Sequence, residues 1–304
     1  MDNAIVVSGL RKSYGDLEAL KGIDFTVKTG EVLALLGPNG AGKTTTVEIL
    51  EGYRKKSAGT VEILGEDPER GGPRYKERVG IVLQECSIDP FLRVVEVLRQ
   101  RVTFYSRPLD VDEILELTGL VDKRNEKVKR LSGGLQRRLD LALALVGNPE
   151  VIFLDEPTTG FDPSARHESW DIIRTLCSQG RTVLLTTHYM DEAQNLADKV
   201  VIIAKGQIVA QGTPETLGGR DSAATQITFS ISSTADLERC PVTHTVESRE
   251  NMSFVTIEST SPVEDLSELT KWWLGSGISP GNLNVSQPSL EDMYLRITRD
   301  SEAL

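Results

Sequence analysis

The sequence predicts an α/β protein on a largely parallel sheet, followed by a small α+β domain. Three observations carry that reading. Short apolar runs alternate with helical stretches over the first 228 of the 304 residues, as in chains that wind helices around a parallel sheet. One of those runs, Val32–Leu36, ends in the glycine-rich segment Gly37-Pro38-Asn39-Gly40-Ala41-Gly42-Lys43-Thr44. Beyond residue 228 the order of strands and helices changes, after a Thr-Pro and Gly-Gly break within residues 213–226.

The elements follow in order. Ile5–Val7 and Ile23–Val27 are β-rich, and Val32–Leu36 is apolar enough to be a strand buried on both faces. Thr45–Leu50 continues the glycine-rich segment as a helix. Val61–Leu64 and Val79–Leu83 are further strands. Val94–Tyr105, Asp112–Thr118 and Leu135–Val146 have helical spacing, so residues from about 90 to 146 form a helical insertion. Val151–Leu154, Val183–Thr186 and Val200–Ile203 are short apolar strands, with helices over Pro163–Ser178 and Met190–Ala197 between them. The boundaries this gives are 1–218 for the first domain, 219–225 for a linker and 226–304 for the second domain.

In the second domain, Gln226–Ile231, Val242–Glu247, Phe254–Glu258 and Leu283–Val285 are predicted strands. Thr234–Glu238, Pro262–Leu274 and Ser289–Ile297 are predicted helices. The order βαββαβα fits a ferredoxin-like unit.

The segment Gly37–Thr44 matches G-x-x-x-x-G-K-[ST] between a strand and a helix, the context that motif requires. Its glycines let backbone N–H groups curl around phosphate oxygens, and the helix start adds partial positive charge. Lys43 supplies a full charge, and the Thr44 hydroxyl suits Mg²⁺, with Thr45 following in the helix. Asp155 and Glu156 end an apolar strand. The first suits a metal through its water shell, and the second can orient or deprotonate an attacking water. Ser132-Gly133-Gly134 before a helix reads either as a plain capped start or as a second anion site.

Taken together, these segments resemble the ATP-binding cassette (ABC) ATPases, over residues 4–218 and in that family's order. Gly37–Thr44 resembles the P-loop, Gln84 the Q-loop glutamine, and Leu131–Gly134 the signature. Val151–Glu156 resembles the Walker B strand, Gly160-Phe161-Asp162 the D-loop, and His188 the switch histidine. Tyr14 stands where the family places an aromatic that stacks on adenine. Leu135 replaces a common glutamine after the signature, and Phe161 a common leucine in the D-loop. The ending Pro288-Ser289-Leu290-Glu291-Asp292 resembles the daunorubicin-resistance type of export ATPase. Read as a helix, the same segment has Ser289 as N-cap and Leu290, Met293, Tyr294 and Ile297 on one face.

The resemblance implies a P-loop NTPase fold, ATP and Mg²⁺ as cofactors, and hydrolysis using Glu156, His188 and Gln84. Thr44, Gln84 and Asp155 would serve the metal. Tyr14, residues 37–45, Ser132, Gly133, Gly134 and Asp162 would contact nucleotide. One P-loop and one signature imply a second ATPase domain, from another copy or a paralogue, packed head to tail. A separate multi-spanning membrane subunit would place the chain on the cytoplasmic face of a membrane and carry the cargo of an export system. An importer subunit and a soluble non-transport ABC ATPase are the rival readings.

Charge and composition fit that expectation. The net charge is −11, and residues 229–304 hold 12 acidic against 5 basic side chains. Such a tail is repelled by nucleic-acid phosphates, so no nucleic acid is expected as a partner. The three cysteines, Cys86, Cys177 and Cys240, are too few and too scattered for a disulfide framework. No run of about 18 apolar residues is present to cross a bilayer.

Overall fold

The computed structural model describes residues 2–82, 88–222, 224–232, 237–249 and 252–303. It divides into one unit running to Pro214 and a second from Glu215 to Asp300.

The first unit opens with a long hairpin, β1 (Asn3–Tyr14) and β2 (Leu17–Lys28). Tyr14 pairs with Leu17 across the two-residue turn Gly15-Asp16, with Gly15 in the left-handed region at φ 58°. Such tight connections require that conformation. β3 (Val32–Leu36), α1 (Lys43–Leu50) and β4 (Ala58–Ile63) follow. Next come α2 (Pro73–Arg78), β5 (Val79–Val82), α3 (Val94–Val102), α4 (Val111–Leu117) and α5 (Gly133–Leu145). The unit ends with β6 (Val151–Asp155), α6 (Pro163–Ser178), β7 (Thr182–Thr186), α7 (Met190–Leu196), β8 (Lys199–Ala204) and β9 (Gln207–Gly212).

The main sheet has the order β5-β6-β7-β3-β8-β9, parallel throughout except for β9. Every residue of β3 and β7 is buried, as the unbroken apolar runs require. A separate antiparallel sheet, β2-β1-β4, shares one core with it. Ile5, Leu10, Leu20 and Phe25 pack in the same cluster as Leu33, Leu35, Ile49 and Ile203. The helical insertion has a core of its own: Val94 and Leu98 of α3, Ile114 and Leu115 of α4, and Leu139 and Ala142 of α5.

The second unit contains β10 (Thr225–Ile231), β11 (Thr245–Arg249), β12 (Met252–Ser259), α8 (Pro262–Ser276), β13 (Gly281–Ser286) and α9 (Leu290–Ala303). Its sheet order is β11-β12-β10-β13, with every neighbouring pair antiparallel. Leu269 and Trp273 of α8 cover Ile227, Phe229, Val255 and Ile257. In a split βαβ unit the two strands joined by the crossover are parallel with another strand between them. β12 and β13, joined through α8, stand in that relation with β10 between them, the order and directions of a ferredoxin-like sheet.

Differences from the sequence reading have local causes. β9 is an additional strand, at the sheet edge. Its glutamines at 207 and 211 are exposed, and its register comes from pairing with β8. The strand expected at Val242–Glu247 begins only at Thr245. Residues 219–225, read as a linker, are largely folded into the second unit. Leu217 is fully buried there, and Arg220 Nε donates to Pro288 O at 2.7 Å. The helix expected at Thr234–Glu238 lies mostly outside the described residues.

Candidate functional site

In an open α/β sheet, ligands sit beyond the carboxyl ends of the parallel strands. Three neighbouring strands deliver the predicted residues to that edge. β3 leads into Gly37–Thr44, β6 ends at Asp155, and β7 ends at Thr186, just before His188. Since β7 pairs with both β3 and β6, the three ends lie side by side.

The glycine-rich loop is held open by close packing beneath it. A Cβ on Gly37, which sits at φ 153°, would lie 2.2 Å from the Ile203 carbonyl oxygen. A Cβ on Gly42, at φ 110°, would lie 2.7 Å from Leu20 Cδ2. Both positions therefore exclude side chains, and the backbone comes close to β8 and β2. Pro38, Asn39, Gly40 and Ala41 form the turn between them. Gly40 has φ 78° with open space around it. Thr44 and Thr45 lie in the first turn of α1, whose N-cap is Gly42.

Lys43 folds back over this loop. Its Nζ donates to Gly37 O at 2.6 Å and to Pro38 O at 3.1 Å. Burial pushes the ammonium below its ordinary pKa, and the carboxylates of Glu156 and Asp155 offset part of that shift. The lysine thus stands within the field of both acids.

The acids are held differently. Asp155 accepts a short hydrogen bond from the Thr186 hydroxyl of the neighbouring strand. Glu156 has left-handed backbone at φ 46°, a conformation uncommon for a residue with a side chain. Its N–H donates to the Thr186 carbonyl and hydroxyl oxygens, each at 3.1 Å. This turn brings Glu156 Oε1 to 3.2 Å from His188 Nδ1, while Thr159 Oγ1 donates to Glu156 Oε2 at 3.1 Å.

The remaining predicted residues are placed elsewhere. Ser132 is the N-cap of α5, its hydroxyl accepting from Leu135 N at 3.4 Å. No contact lies within 4 Å of a Cβ built on Gly133, and the nearest atom to one on Gly134 is Ala165 Cβ at 3.7 Å. Among the described residues, no hydrogen bond or ion pair connects Ser132–Gly134 to Gly37–Thr44. Asp162 caps α6, accepting from Ala165 N at 2.9 Å. Tyr14 is exposed at the hairpin tip. Lys12 Nζ lies 4.9 Å and Arg54 Cζ 5.2 Å from its ring centroid. Gln84 lies outside the described residues.

Three further contributors carry no sequence signal of their own. Arg137, in the first turns of α5, donates to Asp155 O at 2.6 Å and to Glu156 O at 3.4 Å. Thr186 positions both acids. Glu51, at the C-terminal end of α1, is buried, and burial next to Asp155 and Glu48 raises its carboxyl to a pKa of about 8. Each is a lone polar residue whose partner is distant in sequence, so no motif marks it.

A profile of the ABC transporter family matches residues 20–159. The daunorubicin resistance ATP-binding protein DrrA3 of Streptomyces coeruleorubidus is 36% identical over 98% of this chain and 97% of its own length. This chain belongs to the ABC transporter ATP-binding family. As an ABC protein it is an ATPase, and domains of this family bind ATP and ADP. The Nod factor export ATP-binding protein I of Burkholderia orbicola (strain AU 1054) is 43% identical over 68% of this chain and 70% of that protein. Among solved ABC structures, cbiO1 from Clostridium perfringens, described as part of the ABC transporter complex cbiONQ, has a TM-score of 0.64 at 30% identity. It covers 71% of this chain and 90% of its own. The ADP conformation of the ATP-binding cassette MJ1267 gives a TM-score of 0.63 at 26% identity, covering 71% and 92%. The likeness to DrrA3 covers nearly the whole chain, and that to the Nod factor export protein about two thirds of it.

Proposed function

We propose that this chain powers export through a separate membrane subunit, by closing with a second ATPase domain over Mg-ATP. The observation that carries it is the meeting of Lys43, Asp155, Glu156 and His188 at the ends of three adjacent strands. The backbone of residues 37–42 and the Lys43 ammonium hold the β and γ phosphates, and Tyr14 stacks on the adenine. Lys43 must leave the Gly37 and Pro38 carbonyls to do so, exchanging two neutral acceptors for a charged one.

The donor set fits Mg²⁺. Among the described residues no group of three His, Cys, Asp or Glu side chains could hold a metal by itself. A site with few protein ligands suits an ion that keeps its waters and takes substrate phosphates. Thr44 and Asp155 would hold it, with Gln84 joining them, and the ion would neutralise charge on the phosphates. Glu156 orients and accepts a proton from the attacking water. His188, held against Glu156, contacts the γ-phosphate.

Ser132, Gly133 and Gly134 serve a nucleotide held by another copy or a paralogue, in keeping with their separation from the P-loop of their own chain. Asp162 lies in the loop leading to the same junction. The ABC cassette MJ0796, which is 25% identical, has a dimeric structure.

The membrane subunit is supported by a groove of about 880 Å³ between α2, α3 and α5. Ile88, Leu92, Val97 and Leu143 line it, and none of the P-loop residues does. Tyr53 and Phe104, both strongly exposed, stand at its rim. Among the described residues no helix is long and apolar enough to cross a membrane.

The test has two parts. Lys43→Ala is expected to abolish Mg-ATP hydrolysis by the purified chain, and normal turnover by that variant rejects the site assignment. A detergent pull-down from the host's membranes is expected to recover a multi-spanning protein in defined ratio. Recovery only with soluble assemblies favours the non-transport reading.

A further inference from the structure

We propose that Glu192 is a positioning residue for hydrolysis, clamping the loop that bears His188 to the loop that follows Glu156. The proposal rests on the assignment of Glu156 and His188 to the hydrolytic step.

Glu192 lies on α7, four residues after His188, and is fully buried. Its Oε1 accepts from Thr158 Oγ1 at 2.9 Å and from Trp170 Nε1 at 3.3 Å. Thr158 is itself fully buried and comes two residues after Glu156. The next residue, Thr159, donates to Glu156 Oε2. Trp170 belongs to α6, the helix capped by Asp162. A single carboxyl oxygen therefore joins three segments: the one after Glu156, the helix after Asp162, and the one after His188.

A second set of contacts locks the same segments from the outside. Arg166 of α6 pairs with Asp191 at 2.8 Å, and its guanidinium lies 4.3 Å from the Tyr189 ring centroid. These hold the His188 segment to α6. Glu192 carries the hold across to Thr158, and from there to Glu156.

An apolar side chain of similar volume would fill this interior more favourably than a carboxyl. One oxygen of the carboxyl accepts from two fixed donors on different elements, while Oε2 is buried without a hydrogen-bond partner. Their effect is on geometry, because the 3.2 Å separation of His188 and Glu156 depends on two loops meeting beyond the ends of their strands. Displacing reacting groups by about 1 Å can cost on the order of 100-fold in rate.

Burial also drives the Glu192 carboxyl upward from its ordinary pKa, with Thr187, Thr158 and Trp170 opposing the shift. Two substitutions separate the acceptor oxygen from the charge. Glutamine keeps that oxygen and alanine removes it.

The experiment uses the full-length chain with Mg-ATP and measures kcat, KM, nucleotide Kd and apo Tm. Glu192→Ala is expected to lower kcat roughly 10- to 100-fold while leaving the nucleotide Kd within about threefold. Glu192→Gln is expected to restore kcat to within about threefold of wild type. Thr158→Val removes the facing donor and is expected to lower kcat in the same direction. Adding Glu192→Ala to His188→Ala is expected to cost nothing further, because both act through one arrangement. A wild-type kcat in Glu192→Ala overturns the proposal. So does a parallel loss of binding and turnover, or a Glu192→Gln variant as impaired as the alanine. If Glu192→Ala does not fold, Thr158→Val and Glu192→Gln decide: a wild-type rate in the first or a crippled second rejects the clamp. A Glu156→Gln variant that hydrolyses normally rejects the underlying site reading instead, and is scored separately.

Discussion

His188 Nδ1 and Glu156 Oε1 stand 3.2 Å apart, joining segments that follow two adjacent parallel strands, β7 and β6. Thr186 adds a second tie between the same strand ends, through its hydroxyl to Asp155 and through both its oxygens to Glu156 N–H. The carboxylate and the imidazole are thereby held together by the ends of two adjacent strands.

On the proposed assignment of Glu156 as the base, Glu156→Gln keeps the side-chain volume and removes that function. Turnover is expected to fall about 10²- to 10⁴-fold, the usual contribution of a positioned base. Mg-ATP binding should persist, and an ATP-loaded dimer should accumulate. Single-turnover kinetics with light scattering on the same samples reads both. Undiminished hydrolysis would move the role of base to another residue.

Gly37→Ala places a methyl group against the Ile203 carbonyl oxygen at a backbone angle that side chains rarely adopt. Strain of this kind costs about 1–3 kcal/mol. The expected outcome is a lower Tm together with weakened ATP binding, because relief must come from moving the loop itself. Calorimetry and nucleotide titration measure the two losses.

Glu51 makes stability depend on pH with a definite sign. Its folded pKa is about 8, against an ordinary value of 4.5. Between those values the unfolded chain releases the proton and the folded chain keeps it, so stability falls as pH rises. The contribution is whole below about pH 4.5 and lost as pH passes through about 8. Glu51→Gln has no such dependence. It should gain on wild type across that window, by at most roughly 5 kcal/mol at about 1.4 kcal/mol per unit. Denaturant melts of the apo protein at pH 5 and pH 9 give the comparison, and equal margins at both would remove Glu51 as the cause.

Phe104 stands exposed at the rim of the groove and contributes nothing to the P-loop. Phe104→Glu should leave the apo stability within about 1 kcal/mol of wild type, as surface changes generally do. Co-purification with the membrane subunit should drop sharply. Retention of the partner would place the docking surface elsewhere.

Much of the candidate site is readable in the sequence because its chemistry is local. The P-loop is a contiguous run whose glycines answer to a single turn, and Asp155 and Glu156 sit at the end of one apolar strand. The parallel core is readable for a related reason: strands buried on both faces lose their alternation. Thr186, Arg137, Glu51 and Glu192 are not readable, since each matters only through a partner brought close by the sheet. β9 is hidden because its edge position leaves it half polar. In the second unit, strand order and directions are those of the ferredoxin-like pattern, while the start of β11 is displaced to Thr245.

The left-handed backbone of Glu156 has one more consequence. A glycine there would relieve the local strain of the apo chain, yet it would erase the carboxylate. Thermal selection alone would therefore drive this position toward silence. On the proposed assignment, a stabilised variant of this protein that carries Glu156→Gly should be read as a thermostable nucleotide trap, able to bind its ligand and unable to hydrolyse it.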